Sequence, residues 1–256
     1  MTSRPVRFPG THGAELAAII DLPSALPPRA TALFAPCFTC SKDLKAIVHI
    51  CRTLAEAGIA VLRLDFTGLG SSGGNFSDTT LADNIGDLQL AAAHLAQEWP
   101  SPSLLIGHSF GGVAALLAAK KIPSCRAVAV IATPADPRYL EELFAESLRQ
   151  IHEQGEALIQ VAGRDVLLKN SFVDQLAVID LPATIGSLDL PLLVLHSPVD
   201  RVVPIAHGER IFAAARHPRS IVSLGSADHL LTNPDDARYA GSIIAAWLER
   251  SLTPSR

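Results

Sequence analysis

Short apolar runs alternate with longer segments of helical periodicity along most of the chain. Seven runs read as strands: "ELAAIID" (15–21), "TALFA" (31–35), "IAVLRLD" (59–65), "SLLIG" (103–107), "RAVAVIA" (126–132), "PLLVLHS" (191–197) and "SIVSL" (220–224). A weaker opening strand is expected around Val6 to Phe8. Several runs are almost wholly apolar, as strands covered on both faces must be. Four helices fall between or after them. Residues 41–58 open with a serine cap and close at Gly58, 79–99 stop before Pro100, 109–121 stop before Pro123, and 234–252 carry acidic residues in the first turn. This β/α rhythm predicts an α/β fold with a mostly parallel central sheet of about eight strands flanked by helices.

The rhythm breaks between residues 134 and 189. "DPRYLEELFAESLRQIHEQ" reads as an amphipathic helix, "EALIQVAGRDVLLK" as a hairpin turning at Gly163-Arg164, and "NSFVDQLAVID" as a second short helix. An excursion of this length between two core strands is usually functional. The expected organisation is a core of residues 1–133 and 190–256 with a small cap or lid insertion at 134–189.

The chemistry is concentrated in "SLLIGHSFGGVAALLAAK", where Gly107, Ser109 and Gly111 stand between a buried strand and a buried helix. Small residues two positions either side allow strand and helix to approach closely, so that a strained turn exposes the serine as a nucleophile. A serine hydroxyl needs a base, a group to orient that base, and donors for the oxyanion. His229 and Asp200 each follow a core strand, in the chain order Ser, acid, His, and are expected to complete a catalytic triad with Ser109. The rival acid is Asp228, although adjacent residues rarely point at each other. His108 is expected to pack beside the turn, and His196 to sit in the core or behind the site. His12, His49, His94, His152, His207 and His217 look like surface or capping residues without metal-like spacing. The oxyanion hole is assigned to the backbone N–H groups of Phe110 and Phe38, with Cys37 the alternative to Phe38.

Other features narrow the picture. The Gly-rich stretch "LDFTGLGSSGGNFSD" (64–78) lacks the Lys-Ser/Thr of a phosphate-binding loop and fits a dinucleotide fingerprint poorly. It is read as a loop bordering the site, braced by Asp65 and Thr67, while Lys42 and Asp43 are assigned to the start of the helix at 41–58. Cys37 and Cys40 form one Cys-x-x-Cys, read as two reduced, partly buried thiols in a cytosolic protein, with a redox dithiol as the other reading. The composition is 48% apolar and 18% charged, with a net charge of −4 and no block of like charges. It supports a large core and gives no basis for nucleic-acid binding or an electrostatic membrane anchor. No apolar run has the length of a membrane span and the N-terminus has no apolar signal region, so a cytoplasmic location is expected. No cofactor and no metal are expected.

The motifs "CFTCSKDL", "RLDFTGLGSSGG", "IGHSFGG", "PADP", "HSPVD" and "ADHLL" together resemble the α/β-hydrolase superfamily over essentially the whole chain. More closely, they are similar to the hydrolase half of bifunctional proteins that carry an OsmC-like domain after it. The resemblance implies an α/β-hydrolase fold, a Ser109–Asp200–His229 triad and a functional link to an OsmC-like domain. It departs from the family where Pro36 replaces a common histidine, and where no OsmC-like segment follows "WLERSLTPSR". The implied activity is that of a carboxylesterase acting on small-molecule esters of short to medium acyl chains through an acyl-enzyme. The alternatives are a thioesterase, amidase, peptidase or perhydrolase with the same triad, or a non-catalytic accessory module of a redox system.

Overall fold

A computed structural model describes residues 1–161 and 164–252. Among these residues, ten strands occupy Thr2–Pro9 (β1), Glu15–Leu22 (β2), Ala30–Ala35 (β3), Ile59–Leu64 (β4), Leu104–His108 (β5), Ala127–Ile131 (β6), Glu156–Val161 (β7), Arg164–Lys169 (β8), Leu192–His196 (β9) and Arg219–Ser223 (β10). Eight of them form one sheet in the order β1-β2-β4-β3-β5-β6-β9-β10. The pairs β1–β2 and β2–β4 are antiparallel; from β4 to β10 every pair is parallel. This is the α/β-hydrolase fold expected from the sequence.

The period of two explains why the parallel strands are apolar throughout. On β3, Ala32 and Phe34 enter one core while Leu33 and Ala35 enter the other; β5 divides Leu104 and Ile106 from Leu105 in the same way. One core is covered by α1 (Lys45–Glu56) and α9 (Pro234–Leu252). The other is covered by α2 (Leu81–Glu98) and α3 (Phe110–Ala118). Helix α2 starts where Thr80 and Asp83 form a reciprocal capping box.

Helix α1 begins four residues later than the serine at 41 predicts. Lys42 is the cause. Its N–H donates to Asp65 Oδ1 (2.6 Å) and its ammonium to Asp65 Oδ2 (2.8 Å), both buried. Residues 41–44 therefore form a turn that carries Lys42 inward, and neither Lys42 nor Asp43 belongs to the helix. Asp43 instead accepts from Arg63, which also donates to Asp21.

Between β6 and β9 lie α4 (Tyr139–Leu143), α5 (Ala145–Gln154), the β7–β8 hairpin, α6 (Asn170–Ala177) and α7 (Leu181–Gly186). The expected single helix over 136–154 is two, parted at Phe144, and α7 adds a helix that the sequence pattern left out. The hairpin turn expected at Gly163-Arg164 falls at residues 162–163, outside the described residues. Ile151, Ile159, Leu168, Phe172 and Leu176 join the same buried cluster as α2 and α3, so this excursion packs onto the sheet's core. Among the described residues, no helix is long and apolar enough to cross a membrane.

Candidate active site

Strand order reverses at β3, with β4 on one side and β5 on the other. The loops leaving the carboxyl ends of β3 and β5 therefore open a crevice at the edge of the sheet. Ser109 sits in that crevice, directly between β5 and α3, with φ 52° and ψ −124°. A non-glycine residue holds positive φ only when its surroundings impose it. The packing shows how. A Cβ on Gly107 would meet the backbone of Gly111 and Gly112, and one on Gly111 would meet the carbonyl oxygens of Pro36 and Ala35. The two glycines thus bring β5, α3 and the loop after β3 into direct backbone contact.

Three segments distant in sequence converge here. The Ser109 hydroxyl donates to His229 Nε2 at 3.0 Å, and His229 Nδ1–H donates to Asp200 Oδ2 at 2.8 Å. Asp200 follows β9 and His229 follows β10; both are buried, while Ser109 is partly exposed. Burial pushes the Asp200 carboxyl up. The hydrogen bond and charge of His229 and the N–H groups of Val203 and Val202 outweigh that and leave it below its ordinary value. An ionised Asp200 can only accept, so it keeps the proton of neutral His229 on Nδ1 and leaves Nε2 free to accept from Ser109.

The rival residues have other partners. Asp228 is turned away from the imidazole and caps the next turn through Thr232 N–H and Oγ1. His108 is buried beside the elbow, and its Nε2–H donates to the His229 carbonyl at 2.8 Å. Burial, then the adjacent His229, push the His108 imidazole down to about 3, so it remains neutral. His196 is fully buried and its Nε2–H donates to Val203 O at 2.8 Å, which ties down the loop carrying Asp200. His207 is partly exposed: it lies on α8 (Ile205–Ala214), accepts the Ala135 N–H and packs on Tyr139.

On the other side of Ser109 lies the loop after β3. Phe110 is the first residue of α3, so its N–H has no acceptor one turn back in the helix. Phe38 stands at the second position of a four-residue turn closed by Cys40 N–H to the Cys37 carbonyl, 3.0 Å. The expectation of two reduced thiols fails here, because Cys37 and Cys40 are joined by a disulfide across that turn. The Phe38 ring touches those of Phe76, Phe110, Phe144 and Phe172, with centroids 5.4–5.8 Å apart. Phe144 and Phe172 belong to the 134–189 excursion, so the aromatic cluster joins it to the core. Sequence reading missed this cluster because its members come from five separate segments.

The Gly-rich loop after β4 is braced by Asp65 and Thr67, as expected. Asp65 accepts from Lys42 and from Ser71 N–H, and Thr67 donates twice to Asp87. Among the described residues, no three or more His, Cys, Asp or Glu side chains gather as a metal site requires.

Known proteins bear on this arrangement. A family described as serine aminopeptidase, S33, matches residues 40–165, a span that includes Ser109 but neither Asp200 nor His229. The chain is similar to the uncharacterized protein YfhR of Escherichia coli O157:H7, 25% identical over 179 residues, covering 69% of this chain and 55% of that protein. It thus spans a little over half the length of the curated relatives it matches. The crystal structure of the esterase domain of a Rhodothermus marinus protein is 41% identical, covers 98% of this chain and 99% of its own, and superposes with a TM-score of 0.80. Est1E of Butyrivibrio proteoclasticus, solved with ferulic acid bound, is 22% identical with a TM-score of 0.76, covering 94% and 97% of the two chains. That second likeness speaks to the fold alone.

Proposed function

Because the chain belongs to the α/β-hydrolase superfamily, we propose that it is a serine hydrolase that cleaves carboxylic esters of short to medium acyl chains. The observation that carries this reading is the continuous path from the Ser109 hydroxyl through His229 to the ionised Asp200. In the reaction, Ser109 Oγ attacks the ester carbonyl as His229 Nε2 takes its proton. The alkoxide leaves with that proton, giving an acyl-enzyme. Water, deprotonated by the same nitrogen, then releases the acid and restores the hydroxyl. Asp200 holds the tautomer and stabilises the imidazolium. The N–H groups of Phe110 and Phe38 bind the oxyanion; the first also gains from the positive end of the α3 dipole.

Ester over other acyl substrates is favoured by the esterase relative that matches end to end at 41% identity. A short to medium acyl chain is favoured by the phenylalanine cluster, which crowds one side of the crevice. The segment 134–189, which contributes two of those rings, serves as the cap. Initial rates on p-nitrophenyl esters from acetate to palmitate, with Ser109→Ala in parallel and a fluorophosphonate label on both, test the reading. Serine-dependent labelling is expected, together with serine-dependent turnover that falls off with chain length. Turnover that survives Ser109→Ala would overturn it, and serine-dependent labelling without ester turnover would move the substrate to an amide or thioester.

A further inference from the structure

Ser109, His229 and Asp200 are aimed by side-chain hydrogen bonds, but Phe38 is not. Its contribution would be a backbone N–H, and a backbone donor cannot be re-aimed by a change of rotamer. Its direction is the direction of the turn. That turn spans Cys37 to Cys40 and is closed twice, by the Cys40 N–H on the Cys37 carbonyl and by the disulfide, with Cα atoms 5.1 Å apart. Inside it Thr39 holds φ 60°, a region that a β-branched residue occupies only when its surroundings enforce it. One residue before it, Pro36 lies against the backbone of Gly111 in the first turn of α3.

We propose that the Cys37–Cys40 disulfide is a positioning element of the active site, which holds the Phe38 N–H on the oxyanion and makes kcat depend on the oxidation state of this one pair. The inference rests on the reading of Phe38 as an oxyanion donor. Global stabilisation is the weakest use of such a link. The cysteines are three residues apart, and in the chain-entropy account a cross-link stabilises more as the loop it closes grows longer.

The chemistry balances with a dithiol as reductant. One of its thiolates attacks Sγ of Cys40, the half-buried partner, and the Cys37 sulfur leaves and takes a proton. The second thiol then attacks the mixed disulfide and closes a ring, and Cys40 leaves as a thiol. Two electrons and two protons pass to the protein. The remaining cysteines of the sequence, Cys51 and Cys125, are free and buried. Burial pushes the thiol of Cys51 well above its ordinary value and that of Cys125 up to about 11, which leaves both poor in thiolate.

The test uses the full chain and p-nitrophenyl acetate. Activity is measured before dithiothreitol, after it, and after reoxidation with oxidised glutathione, with accessible thiols counted at each stage. Deleting one oxyanion donor costs about 10²–10³ in kcat, and loosening one should cost less, about tenfold, with KM changed by less than about twofold. Two thiols should appear and disappear as kcat falls and recovers. Cys37→Ser/Cys40→Ser should start at the low kcat and ignore the reductant. Where the native disulfide resists reduction, that double variant alone carries the comparison. A wild-type enzyme with two new thiols and unchanged kcat, or a double variant at full kcat, overturns the inference. So does a loss that appears chiefly in KM or in thermal stability. Ester turnover by the oxidised enzyme that is independent of Ser109 would instead overturn the underlying functional reading.

Discussion

The two flanks of Ser109 are built on different principles. On one flank, Asp200 and His229 arrive from loops after β9 and β10 and are aimed by buried hydrogen bonds: Val202 and Val203 N–H to Asp200 Oδ1, Nδ1–H of His229 to Asp200 Oδ2. On the other, a four-residue turn is held by a covalent bridge and by edge-to-face phenylalanines. The difference follows from what each flank supplies. In the proposed reaction, a side chain that must carry charge and move a proton needs polar partners to fix its tautomer. A backbone N–H needs only a fixed direction, and packing with a cross-link supplies that without placing a second charge near the oxyanion.

The largest effect should come from the polar flank. Asp200→Asn keeps the size and can still accept from Val202 and Val203, but its amide no longer favours a proton on His229 Nδ1. A fall of about 10⁴-fold in kcat is expected on the ester substrate. Asp228→Asn should stay within about threefold, because Asp228 serves only the turn at Thr232. If the two variants exchange these values, the acid has been assigned to the wrong residue and the polar flank must be redrawn.

On the apolar flank the matching experiment is Phe172→Ala. Phe172 is 1% exposed and its ring meets those of Phe38, Phe76 and Phe110. Truncation removes a member that meets three others of the cluster and should lower the unfolding free energy by about 3–5 kcal/mol. Urea denaturation measures it. A loss below about 1 kcal/mol would mean that the turn at Phe38 does not depend on packing from the excursion, leaving the disulfide as its main support.

This contrast also marks where the sequence was legible. The parallel strands and the Ser109 elbow could be read because local pattern determines them: apolar runs of strand length, and glycines spaced two either side of a serine. The convergence of Asp200 and His229 on Ser109 could be anticipated because each follows a core strand in the expected order. The start of α1 was misplaced because Ser41 looks like a cap, while the decisive partner of Lys42 is Asp65, 23 residues away. Helix α8 was not assigned from the sequence; within it Gly208 lets the helix approach the His196 ring. The Cys37–Cys40 bridge and the phenylalanine cluster depend on oxidation state and on contacts across five segments, which no local pattern records.

The smallest effect concerns His108, which links the polar flank to the elbow through the His229 carbonyl. Its imidazole titrates near 6.5 when free of the fold and near 3 within it, because burial and the neighbouring His229 oppose its charge. Between those values the unfolded chain binds more protons than the folded one, so stability must rise with pH across the window. The contribution is complete above about 6.5 and is lost as the pH falls towards 3, with a slope of at most about 1.4 kcal/mol per pH unit. His196 and His207, both lowered by burial, add to the same trend. His108→Gln can still donate to the His229 carbonyl but does not titrate. Urea unfolding of the two proteins from pH 7 to 4 should show a steeper loss for wild type, and the difference should vanish above neutrality. Parallel curves would mean that His108 is hydrated in the folded protein, and that the polar flank is less closed from solvent than the buried hydrogen bonds of Asp200 and His229 require.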